Sequence, residues 1–109
     1  MSNLIYLVGR LDDNPNMKSL SDERKFVTIN VSVPRQYKNE DVIYETDCIL
    51  CSISSGIANN VYEYCKVGDL IGIKGRIQMK EQEDNLGNKN NVIEIVVDKF
   101  TYLSSQKEK

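Results

Sequence analysis

The sequence predicts an all-β fold with one short helix, its five strands curled into a small barrel. Three observations carry this. Apolar and polar residues alternate with a period of two over several stretches, the pattern of strands with one face in a core. One stretch alone, after Ser54-Ser55, repeats its apolar residues at helical spacing. Glycines interrupt two apolar strands, at Gly9 and Gly75, where a barrel bends or brings backbones close together.

The chain has 109 residues, enough for one core and not two. We read residues 1–104 as a single domain and 105–109 as a short polar tail. At 40% hydrophobic and 28% charged residues the composition is that of a globular protein. No apolar run approaches the ~18 residues of a membrane-spanning helix. The opening MSNLIYLVGRL has neither the basic stretch nor the cleavage site of a secretory signal, so a cytoplasmic location is expected.

A net charge of −2 excludes a uniformly basic molecule, but binding to a polyanion depends on the charge of one face. The three cysteines, Cys48, Cys51 and Cys65, argue against a disulfide framework. Cys48 and Cys51 are separated by an odd number on a strand and fall on opposite faces. With no histidine and no second cysteine pair, no zinc site is completed, and a Ser-His or Cys-His nucleophile is excluded. Asp12-Asp13 lie in DDNPN, a turn. Neither an enzyme, a metal, a cofactor nor a small-molecule substrate is expected.

In chain order, residues 4–11 (LIYLVGRL) form a first strand that is apolar on both faces. Residues 12–23 are a polar loop. In residues 25–33 Val27, Ile29, Val31 and Val33 point one way and Phe26, Thr28, Asn30 and Ser32 the other. Pro34, which has no N–H, is expected to end that ladder. Residues 36–42 make a polar hairpin tip carrying Tyr37 and Lys38. Residues 43–53 are the third strand, with Ile49, Cys51 and Ile53 inside and Tyr44, Thr46, Cys48, Leu50 and Ser52 outside.

The Ser54-Ser55 pair offers an N-cap to a helix that carries Ile57, Val61, Tyr64 and Cys65 on one side and ends at Gly68. Val67-Gly68-Asp69 is a tight turn. The fourth strand follows, with Ile71, Ile73, Ile77 and Met79 on one face and Gly72, Lys74, Arg76, Gln78 and Lys80 on the other. A curled strand with an oily inner face and a basic outer face suits a barrel that binds a polyanion, although a solvated edge would look the same. Residues 81–91 are a polar hairpin loop and 92–103 the last strand. Three strands, a helix and two strands is the layout of the OB-fold, a five-stranded Greek-key barrel. Function does not follow from that layout.

LIYLVGRL with Asn14-Pro15, FVTINVSV, YKNE, ANNVYEYCKVGDLIGIKGRIQ and the closing apolar strand together resemble the single-stranded DNA-binding proteins of bacteria and phages. The likeness covers nearly the whole chain in the right order. It implies an OB-fold, a homo-oligomer (a tetramer built as a dimer of dimers), and sequence-independent binding of single-stranded DNA in replication, recombination or repair. Such binding needs a basic groove for the phosphates and flat rings for the bases. Lys74, Arg76 and Lys80, with Lys25, Arg35 and Lys38 beside the hairpin, meet the first need. The family's ring positions align with Tyr37, Cys48, Ser54 and Gln82, so three of them lack a ring. Tyr44, on the outer row with Cys48, is a candidate to compensate. A third-strand position that is basic or polar in the family holds Leu50.

Phe26, Phe100 and Tyr102 are read as packing residues. Housekeeping members of the family also carry a long linker and an acidic tip, whereas this chain stops at SSQKEK. It reads as a short member or as the folded core of a longer one. The competing reading is a diverged OB-fold interaction or assembly protein of the primosomal kind, with weak or lost DNA binding.

Overall fold

The computed structural model describes residues 1–19, 24–38, 44–54 and 56–105, apart from the side chains of residues 36–38 and 44. Alternation gives way to pairing in the order β1 (Ile5–Leu11), β2 (Asn16–Ser19), β3 (Lys25–Lys38), β4 (Tyr44–Ser54), α1 (Gly56–Tyr64), β5 (Leu70–Glu83) and β6 (Lys89–Ser104). The strands lie in the order β1-β5-β6-β4-β3-β2, and a further β1–β3 pairing closes the sheet on itself. β1 and β2 share one edge of β3. Leu11 faces Val31 and Asn16 faces Thr28, so β2 continues the line of β1 and the intervening bend absorbs two extra residues. The result is a closed barrel of five staves, completed by parallel pairing of Cys51 with Ile95 and of Ser52 with Val96.

The inner rows expected from the sequence form the core. Val27, Ile29 and Val31 of β3, Cys51 and Ile53 of β4, and Ile71 and Ile73 of β5 are buried with Leu11, Ile95 and Val97. α1 covers one end of the barrel with Ala58 and Val61. Cys65 is buried beyond it, Ile57 is half-buried and Tyr64 stays exposed. Gly68 turns the chain into β5 with φ of +92°, and the Asp69 carboxylate accepts the Lys66 N–H at 2.9 Å. Gly75 is held by close approach. A Cβ there would lie 2.1 Å from the carbonyl oxygen of Val96.

Four expectations are corrected. Residues 16–19, read as loop, are the strand β2, too short and too polar to show a period. Pro34 does not end β3, which pairs on to Lys38 with an irregularity after Pro34. Asn30, of the same parity, gives its carbonyl to Asp12 on the β1 side, so Pro34 turns its donorless nitrogen toward an edge that β1 no longer follows.

Ile77 and Met79 share the parity of Ile71 and Ile73 yet are 39% and 59% exposed. The strand outruns the barrel there, and β5 and β6 continue as a two-stranded arm. The arm narrows the expected loop of residues 81–91, since pairing extends to Glu83 with Lys89. Asp84 closes the turn by accepting the N–H groups of Leu86 and Asn88. Ser55 and residues 106–109 lie outside the described residues.

Candidate nucleic-acid interface

The outward residues of β3, β4, β6 and β5 form a row fixed by register. Thr28 faces Ser52, Ser52 faces Val96, and Val96 faces Arg76. Beside this row lies an open groove of about 730 Å³. Ser52, Ser54 and Val96 line it from the sheet, Ala58 and Asn59 from α1, and Gln78 from β5. Its cations are Arg24, Lys25, Arg76 and Lys80, against one acid, Glu94. Arg76 Nη1 donates to Asp98 Oδ1 at 2.7 Å, with both side chains about half exposed. Lys80 Nζ lies 3.9 Å from Glu94 Oε2, and Gln78 Nε2 donates to Glu94 Oε1 at 3.3 Å. The Arg76–Asp98 pair is exposed and worth little, so a phosphate can take the place of that carboxylate.

The structure divides the basic row read from β5. Arg76 and Lys80 line the groove, but Lys74 pairs with Tyr6 of β1 and Lys99 of β6 and borders a separate hollow with Val8 and Leu103. Between them the register slips by one residue, since Lys74 faces Lys99 and Gly75 faces Val97. That bulge turns the two halves of the strand toward different surfaces.

Of the remaining expected site residues, Lys25 and Ser54 line the groove. Arg35 is already occupied on the β3–β4 arm. Its guanidinium holds Asp47 at 3.0 Å and Glu45 at 3.1 Å. That contact keeps the Asp47 carboxyl below its ordinary range. Cys48 is exposed on the outer row of β4, where its thiol donates to Asp12 Oδ2 at 3.6 Å. Desolvation and the carboxylates of Asp12 and Asp47 push that thiol upward. Gln82 is exposed on the β5–β6 arm opposite Asn90, away from the groove. The side chains of Tyr37, Lys38 and Tyr44 lie outside the described residues.

Sequence reasoning set aside one residue that the structure puts in the groove. Phe26 lines it between Lys25 and the two serines. The signal was present in the alternation, because Phe26 is out of phase with Val27, Ile29 and Val31. Phe100, by contrast, packs against the core as expected. Tyr102 is 48% exposed and borders a hollow between α1 and β6.

A closed OB barrel with a cationic groove on its outer face has the shape and charge to receive an extended polyanion, the class of protein this geometry fits. Comparison with known proteins narrows the class. The Single-strand binding protein family matches residues 2–103. Single-stranded DNA-binding protein 1 of Lactococcus lactis is 39% identical over 98% of this chain and 71% of its own length. The Single-stranded DNA-binding protein of Lactiplantibacillus plantarum is 35% identical over 99% of this chain, which spans 54% of that protein. Single-stranded DNA-binding protein B of Bacillus subtilis is 31% identical over 94% of this chain and 91% of its own length.

Among solved structures, "Plasmodium falciparum SSB complex with ssDNA" superposes with a TM-score of 0.82 over 95% of this chain and 96% of the other. At 18% identity that likeness shows a shared fold. The chain belongs to the single-strand binding protein family, a family of binding proteins. Among the described residues no helix is long and apolar enough to cross a membrane, and no group of side chains could hold a metal ion.

Proposed function

We propose that this chain binds single-stranded DNA without regard to sequence, as a non-catalytic cytoplasmic protein of replication, recombination or repair. The observation that carries the reading is the convergence of Lys25 from β3 with Arg76 and Lys80 from β5 on one groove. The two strands are separated in the sheet by β4 and β6. Charge gathered from distant strands onto one channel suits a phosphate backbone that crosses the sheet.

The test is fluorescence anisotropy with labelled oligo(dT) over a range of salt. Each phosphate contact to a single strand contributes about −0.7 to the slope of log K against log salt. Changing Lys25, Arg76 and Lys80 to glutamine together should flatten that slope by about 2. An unchanged slope takes the groove out of the binding path.

The outer face of β1 supports a homo-oligomer, a tetramer assembled from dimers. Leu4, Tyr6 and Val8 are 61%, 68% and 57% exposed there, with Leu103 alongside. An apolar strand face of that kind is ordinarily covered by another chain. The same face favours the second reading, an interaction or assembly protein. Absence of oligo(dT) binding at low salt would select it.

A further inference from the structure

The groove is lined by an aromatic side chain, Phe26 of β3. Phe26 and Ser54 are directly opposed across β3 and β4. On its other side Phe26 opposes Lys18 of β2, so the register sets a cation, a ring and a hydroxyl in one row. The outward phase of β3 turns Phe26 away from Val27, Ile29 and Val31, which are fully buried. Phe26 is half-buried, and it does not belong to the partly buried side chains that pack against the core. It lines the groove together with Lys25, Arg76 and Lys80.

We propose that Phe26 is the stacking platform of this groove. It presents a ring from β3 beside the Ser54 hydroxyl of β4, and a base stacks on it while Lys18 and Lys25 hold the flanking phosphates. The assignment rests on the reading that the groove binds single-stranded DNA. Directly opposed residues of an antiparallel pair have Cβ atoms only about 4.5–5.5 Å apart. The Ser54 hydroxyl therefore lies beside a base stacked on Phe26.

The sequence contains no tryptophan, so Phe26→Trp installs a single reporter at the site. Its fluorescence should be quenched on saturation with unlabelled oligo(dT), and its affinity should equal or exceed that of the unaltered protein. Phe26→Leu keeps bulk without a ring. It should weaken binding by about 5- to 150-fold, the span of one base–aromatic stack, and leave the salt slope unchanged. Circular dichroism melting confirms that each variant is folded, and Phe26→Tyr replaces Phe26→Trp if the latter is not. Phe26→Tyr should bind as the unaltered protein does.

Wild-type affinity in folded Phe26→Leu, or an unquenched tryptophan at saturation, overturns the assignment while leaving the groove as the DNA path. If the unaltered chain fails to bind oligo(dT), the functional reading falls and takes this inference with it.

Discussion

Arg76, which lines the groove, donates to Asp98 across 2.7 Å, and Asp98 occupies the bulged position of β6. If the groove binds DNA as proposed, the carboxylate both holds Arg76 in place and competes with a phosphate for it. Asp98→Asn should therefore tighten oligo(dT) binding about fivefold, the effect of one unit charge at ~4 Å in watery surroundings. Stability should change by less than about 1 kcal/mol, because the pair is exposed. Anisotropy titration and thermal melting check the two halves. Weaker binding by a folded Asp98→Asn would mean that the pair orients Arg76 more than it competes.

Lys74→Gln should leave affinity and salt slope as they are. The side chain shares the strand with Arg76 and Lys80 but faces Tyr6 and Val8. A loss of about 0.7 in slope would place a phosphate on the β1 face and overturn the division of the strand.

Gly75→Ala should cost at least about 2–3 kcal/mol in a denaturant titration. The added methyl would meet the Val96 carbonyl at 2.1 Å, and a paired backbone cannot yield as a side-chain end can. Gly56→Ala, which meets nothing within 4 Å, is the control and should be close to neutral.

Burial pushes the Cys51 thiol from an ordinary value of 9.0 up to about 12. Between those values the unfolded chain has released the proton and the folded chain keeps it. Stability should therefore fall as pH rises from 9.0 toward 12, by up to about 1.4 kcal/mol per unit. Below that window this thiol contributes no slope. The measurement is the difference between the protein and Cys51→Ala in paired urea titrations, which isolates this thiol. Equal slopes would show that the thiol is accessible to solvent.

Tyr6→Glu with Val8→Glu should dissociate the assembly to the 12.5 kDa chain in light scattering at micromolar concentration. An unaltered protein that was already monomeric would remove the β1 face as an interface.

The inner rows of β3 and β4 were legible because one buried face leaves a strict period of two, as in Val27, Ile29 and Val31. Gly75 was legible for a similar reason. A residue without a side chain inside an apolar row marks crowding. Ile77 and Met79 were misread because parity says which residues share a face but not where the barrel ends beneath that face. β2 was invisible because Asn16 to Ser19 is held by its neighbour β3, with only Met17 turned toward the core. In the site, the basic row of β5 was found but not its division at the bulge, which depends on one extra residue in β6. Phe26 was passed over by residue type although its phase pointed outward.

The seam of the barrel, Cys51 with Ile95 and Ser52 with Val96, joins positions 44 residues apart. During synthesis at about 5–20 residues per second, β4 waits about 2–9 s for the strand that completes it. Over that interval the nascent sheet has an open edge at Cys51 and Ser52, and the apolar interior is uncovered on that side. The β3–β4 hairpin can form on the ribosome, but the barrel cannot close until β6 has emerged. Closure of the barrel is therefore a late step of synthesis, and a chain stalled before Ile95 would leave that edge of β4 unpaired.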